Sequence, residues 1–229
     1  MKKSLYLLVI LMIGFALTGC DNKNYAKEFK NDYESVNGTK NASGKEHRTV
    51  NIDENNKFVE TTPEKIVEMI DNKETFYVYF GSRLCPCCRS TIEMADQISR
   101  KNGIEKVYYV DIWDDEGKEI LRDKYTLNNN NEPELTQEGA SSYKKLLEAF
   151  SEYLSDYNLT TSDGETVSTG EKRIYAPNYF FVQNGECKRM TSGTSSLQED
   201  SRGELTEDIL NEEKEMFNKL FLNYCDDLC

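Results

Sequence analysis

The densest apolar stretch of the chain, Phe76-Tyr77-Val78-Tyr79-Phe80, is unbroken, aromatic and β-branched. It predicts a strand covered on both faces, ended by Gly81 and Ser82. After Pro86 the period changes: Cys88, Ile92, Ala95 and Ile98 recur at helical spacing, whereas Arg89, Glu93, Asp96, Arg100 and Lys101 fall elsewhere. Gly103 closes this helix, and Val107-Tyr108-Tyr109-Val110-Asp111-Ile112 predicts a second buried strand, parallel to the first across a right-handed crossover. Upstream, Thr49 to Ile52 reads as a first strand, and Thr62-Pro63-Glu64 starts a helix with Thr62 as its cap and Ile66, Val67 and Ile70 as its apolar face. Downstream, about 60 residues precede Pro177, a length that signals an inserted element rather than one loop. Within it Tyr143, Leu146, Leu147, Phe150, Tyr153, Leu154 and Tyr157 predict one amphipathic helix packed on the sheet, between exposed loops at Asn128 to Glu134 and Thr160 to Thr169. The strand after Pro177 runs into Asn184-Gly185 and should pair back with Glu186 to Thr191. Leu205, Ile209, Leu210, Met216, Phe217, Leu220 and Phe221 mark a closing helix.

The ends of the chain follow different rules. Lys2 and Lys3, an apolar run from Leu5 to Leu17 and then Leu17-Thr18-Gly19-Cys20 read as an export signal too short for a membrane span. Small residues before a cysteine resemble the bacterial lipobox, which implies a lipoprotein signal peptide over 1–19 and lipidation at Cys20, anchoring the protein to the bacterial cell membrane on its extracytoplasmic side. Residues 20–47 are polar and predict a flexible tether, with His47 exposed at its end and without a role. A single domain then spans 48–222, with the insertion at about 113–172, before a cysteine-containing tail at 223–229.

Charge removes some partners. Without Lys2 and Lys3, 28 minus 2 leaves 26 basic residues against 41 acidic ones, a net charge of −15, which disfavours nucleic acid and anionic lipid as electrostatic partners. Asp111, Asp114, Asp115 and Glu116 lack the glycine and ligand alternation of a calcium loop and read as solvated surface. Cys85, Cys87 and Cys88 lack a second ligand pair, and His47 is distant in sequence, so no metal is expected, and nothing calls for a cofactor.

The remaining chemistry lies where the first buried strand hands over to a helix. The amides of a helix's first turn are unpaired and its dipole is positive there, which favours a thiolate at Cys85. Pro86 suits the first helical position, and the helical pattern turns Cys88 to the core and Cys85 to solvent, the asymmetry of a resolving and an attacking cysteine. Arg83 and Arg89 are candidate electrostatic helpers, and Cys87 is a spare thiol, a competitor for Cys85 or an oxidation liability. Export makes disulfides relevant. Proximity favours Cys85 with Cys88; Cys225 and Cys229 form a local disulfide or remain free, and Cys187 has no evident partner.

These residues resemble the thioredoxin superfamily, and within it a bacterial group that includes the bacteriocin transport accessory proteins. The resemblance rests on Tyr79-Phe80-Gly81-Ser82 through Cys85-Pro86-Cys87-Cys88-Arg89 and on Arg173-Ile174-Tyr175-Ala176-Pro177, and extends over about Arg48 to Leu222. It implies an α/β thioredoxin-like fold, a central mixed sheet flanked by helices with a helical insertion before the cis-proline strand. It also implies that Pro177 is cis, lies against the Cys85 sulfur and, with Ala176 and Pro86, contacts substrate. The activity implied is that of a membrane-tethered thiol-disulfide oxidoreductase, Cys85 attacking and Cys88 resolving, with exported protein thiols or disulfides and a redox partner protein as its partners. The alternative is a non-catalytic binding or secretion-accessory module. The chain departs from the superfamily pattern at Leu84, where a tryptophan is usual, and in lacking a buried aspartate in the preceding strand.

Overall fold

The computed structural model describes residues 24–222. The expected export signal, the lipidation site Cys20 and the Cys225–Cys229 pair lie outside the described residues. The protein is mixed α/β. Five strands, β1 (Phe58–Glu60), β2 (Phe76–Gly81), β3 (Val107–Asp111), β8 (Asn178–Gln183) and β9 (Glu186–Thr191), form one sheet in the order β1-β3-β2-β8-β9. β3 runs parallel to both β1 and β2, and β8 pairs antiparallel with both β2 and β9, so the expected mixed sheet flanked by helices is present. The β8–β9 turn places Asn184 and Gly185 both at positive φ, the geometry expected of an Asn-Gly hairpin.

Period-two alternation splits the core. Phe76, Val78 and Phe80 of β2 join Val110, Phe180 and Val182 under α2 (Pro63–Asp71) and α4 (Tyr143–Phe150). Tyr79, Tyr109, Tyr179 and Phe181 face α3 (Pro86–Lys101) and α5 (Glu207–Leu220) on the other side. Thr62 caps α2 and Pro63 opens it as the sequence predicts. No helix among the described residues is long and apolar enough to cross a membrane.

Three expectations need correction. From Tyr25 onward the presumed tether is structured: α1 (Tyr25–Glu34), capped by Asn24, buries Phe29 and Tyr33 against the sheet. Two aromatics at i and i+4 are enough to seat a helix whose overall composition is polar, and Phe29 stacks on Phe58 at 4.6 Å. Thr49 to Ile52 is not a strand. Val50 and Ile52 are buried, but their backbone groups are taken by side chains, Asn37 for Val50 and Glu34 for Ile52, in place of a strand partner.

The insertion is mostly β. It holds the hairpin β4 (Lys124–Leu127) and β5 (Pro133–Gln137), the short helix α4, a 3₁₀ turn at Ser151–Tyr153, and the hairpin β6 (Ser155–Thr160) and β7 (Thr166–Arg173). The predicted helix therefore ends at Phe150, and Tyr157 stands on a strand, where its ring meets the Arg173 guanidinium at 4.0 Å. Asn128 to Glu132 forms the β4–β5 turn, whereas most of Thr160 to Thr169 belongs to β6 and β7. Half-exposed two-stranded hairpins carry too few apolar positions to show a period of two. Arg122, ion-paired with Glu119, donates to the Ile174 carbonyl at 3.2 Å, and Tyr143 accepts from the Ile174 amide at 3.3 Å. The insertion thus holds the segment that leads into Pro177.

Candidate functional site

Strand β2 ends at Gly81, where a Cβ would fall inside the Tyr79 ring, so only glycine lets that ring fold beneath the strand end. Four residues later Cys85 is the N-cap of α3, with Pro86 at its first position, and the Cys88 amide donates to Cys85 Sγ at 3.4 Å. On its other side the Cys85 thiol donates to the Ala176 carbonyl at 3.6 Å, and the Ala176–Pro177 peptide is cis. The structure therefore brings Cys85, Cys88, Pro86, Ala176 and Pro177 together from two distant parts of the chain.

Burial differs from expectation. Cys85 is only 6% exposed and Cys88 is fully buried, while half-buried Cys87 is the most open of the three. All four described cysteines, Cys187 included, are free thiols, so the Cys85–Cys88 pair stands in its dithiol form. The helix start does not pull the Cys85 pKa down. A hydrogen bond from Cys87 acts to lower its pKa, but the bond shared with Cys88, burial and the Cys88 charge together push the thiol up. Cys87 is pushed up as well, first by its bond to Cys85 and then by burial, against the lowering effect of Ser201. Burial pushes Cys187 up to about 12.

The two arginines are engaged elsewhere. Arg83 is ion-paired with Asp32 at 3.3 Å and Asp115 at 2.7 Å. Arg89, read from sequence as lying off the apolar face of the helix, is 1% exposed and donates to the carbonyls of Arg48, Tyr33 and Arg83 and to Asn37. It clamps the N-terminal segment to the helix that bears the cysteines. Asp96 is likewise buried, paired with Arg100 at 3.1 Å. His47 is buried at 6% exposure rather than exposed, and burial and then Arg89 hold it below its ordinary pKa. It lines a groove of about 570 Å³ together with Val36, Leu84, Pro86, Trp113 and Arg202, which opens beside the motif.

Sequence reasoning missed the setting of Cys88. Burial raises the pKa of Tyr33, Tyr79, Tyr109 and Tyr179, which share one buried cluster with it, and the charge of Cys88 adds to that effect. The Tyr33 and Tyr79 hydroxyls lie 2.6 Å apart, Tyr79 stacks on Tyr179 at 4.2 Å and on Tyr109 at 5.3 Å, and Tyr179 meets the Thr91 hydroxyl at 3.2 Å. Tyr109 donates to Asp111 at 2.7 Å. Asp111 is thus no solvated surface residue: half-buried, it also accepts the Trp113 amide at 3.0 Å, and burial raises its carboxyl to about 6 against the lowering bonds from Trp113, Tyr109 and Ser82. The available signal was a tyrosine in each of the three buried strands, Tyr79, Tyr109 and Tyr179, which sequence alone reads as core.

Comparison with known proteins adds no family to this picture: no protein-family model matches the chain, and no curated protein matches it.

Proposed function

We propose that the chain is a thioredoxin-like thiol-disulfide oxidoreductase, tethered through a lipidated Cys20 on the extracytoplasmic side of a membrane and acting on exported proteins. The observation that carries this reading is the seat of Cys85 Sγ, between the Cys88 amide at a helix start and the Ala176 carbonyl of a cis Ala-Pro peptide. In the reducing direction the Cys85 thiol gives its proton to water and its sulfur attacks a substrate disulfide. A Cys85–substrate bond forms, the substrate bond breaks, and the departing sulfur takes a proton from water. Cys88 then attacks Cys85, forming the intramolecular disulfide and releasing the second substrate thiol.

Neither arginine faces Cys85, and its thiol is pushed up, so the reduced form gains little from thiolate stabilisation. Reduction of insulin disulfides separates the readings: wild type is expected to accelerate it and Cys85→Ser to do nothing. Equal rates for the two proteins would overturn the proposal. The 6% exposure of Cys85 favours one other reading, a non-catalytic secretion-accessory module, which predicts that equality.

A further inference from the structure

The groove of about 570 Å³ beside Cys85 is lined by Leu84 and Pro86, the two residues that flank the cysteine, and by neither Ala176 nor Pro177. Three segments outside the cis-proline seat complete it. The first is a narrow hairpin in which Lys40 pairs with Glu46 and the His47 amide donates to the Thr39 carbonyl at 2.9 Å. Asn37, just before it, accepts from Arg89, which ties the hairpin to the helix that bears the cysteines. The second is the loop after β3, where Gly117, at a φ of 78°, comes so near the motif that a Cβ there would lie 3.5 Å from a Leu84 methyl. The third, ahead of α5, supplies Arg202.

The polar groups of this groove have room for a ligand. His47 is 6% exposed, and its ring has no hydrogen-bond partner among the described residues. Burial, then Arg89 and Arg202, favour its uncharged form, and a neutral imidazole keeps one N–H to donate. Lys40 and Arg202 have no ion pair among the described residues, in a chain whose net charge is −13. Of the two carboxylates on the groove, Asp115 is taken by Arg83 at 2.7 Å. Glu116 is exposed, where water screens it, whereas half-buried Arg202 acts at lower dielectric and within electrostatic reach of both His47 and Cys87. We propose that the groove holds the stretch of substrate protein beside the reacting cysteine and selects one that bears a carboxylate, drawn by Arg202 and Lys40 and hydrogen-bonded by the His47 ring. This rests on the oxidoreductase reading above and gives it a substrate class: exported proteins with Asp or Glu within about two or three positions of the reacting cysteine, since an extended chain advances about 3.3 Å per residue from Cys85. The cavity is of the size that takes a small ligand, enough for a short extended segment.

The test uses blocked heptapeptides with one central cysteine, activated as its 2-thiopyridyl disulfide, and glutamate, alanine or lysine two positions to either side. Attack of Cys85 on the peptide sulfur forms the mixed disulfide and releases pyridine-2-thione, read by absorbance at low ionic strength; the rate left in Cys85→Ser is subtracted. The glutamate peptide is expected to react roughly tenfold faster than the lysine peptide. Arg202→Glu is expected to invert that order, and His47→Leu and Lys40→Ala each to shrink the ratio by a few-fold. A loss of stability slows every peptide alike and leaves the ratio unmoved. Equal rates for the glutamate and lysine peptides, a faster lysine peptide, or a ratio that Arg202→Glu leaves unchanged would overturn the inference alone. Absence of Cys85-dependent release from all three peptides would instead overturn the oxidoreductase reading.

Discussion

The two faces of the central sheet are built from the same strands with different chemistry. Under α2 and α4 the strands present Phe76, Val78, Phe80, Phe180 and Val182, and the rings of Phe80, Phe150 and Phe180 pack on one another with no polar group among them. Under α3 the same strands present Tyr79, Tyr109 and Tyr179, whose hydroxyls are joined to Tyr33, Asp111 and Thr91 respectively. Ring area is similar on the two sides, so hydrophobic burial is comparable. What the tyrosines add is a set of buried dipoles that must find partners. One face is a floor, and the other holds a thiol in a polar pocket closed to water.

The contrast is sharpest in mutants that break one face and leave the other intact. Phe180→Ala opens a cavity among stacked rings and is expected to cost about 3–5 kcal/mol in urea denaturation, while the exchange rate per folded molecule stays unchanged. A comparable fall in exchange would show that the faces are not separable. A smaller effect concerns Glu213 on α5, which has no exposure, a carboxyl raised by burial to about 8, and no hydrogen-bond partner for either carboxylate oxygen among the described residues. Because the folded pKa exceeds the unfolded one, the folded state holds a proton that the unfolded state has lost between about pH 4.5 and about pH 8, and stability falls across that window. Glu213→Gln is expected to flatten that fall and to raise stability at pH 8 by roughly 1–3 kcal/mol. Parallel stability curves for the two proteins would refute the assignment.

Tyr79→Phe strips the Tyr33 hydroxyl of its partner and is expected to cost about 1–2 kcal/mol, with a change in the pH dependence of exchange that no mutation on the phenylalanine face should produce. The smallest effect is expected from Cys87→Ala. Losing the hydrogen bond that lowers the Cys85 pKa should slow alkylation of Cys85 at neutral pH by a few-fold, and acceleration would show that Cys87 competes with Cys85 rather than supports it.

The legible parts of the fold were those in which one pattern decides the outcome. The β2–α3–β3 unit, the Thr62 cap, the Asn184-Gly185 hairpin and the closing helix each follow from local spacing or turn chemistry. The pairing of Cys85 with Ala176 and Pro177 was reachable only through resemblance, since nothing local joins residues 91 apart. Polar segments that borrow their order from elsewhere were missed. Helix α1 depends on Phe29 and Tyr33 meeting the sheet, Arg89 is buried because backbone carbonyls of distant segments converge on it, and β6 and β7 pair with scant apolar content. Asp111 was read by its acidic neighbours, whereas the Tyr109 ring two residues earlier sets its environment.

Arg89 has a further consequence. It follows Cys88 directly in sequence, and one guanidinium gathers Tyr33 at the end of α1, Asn37 and Arg48. The first turn of the helix that bears the cysteines and the folded-back start of the described chain are therefore completed by the same side chain. A molecule that has not yet wrapped its N-terminal segment into place leaves that buried cation with only the Arg83 carbonyl of these acceptors, which makes a correctly presented sulfur conditional on the whole domain having closed.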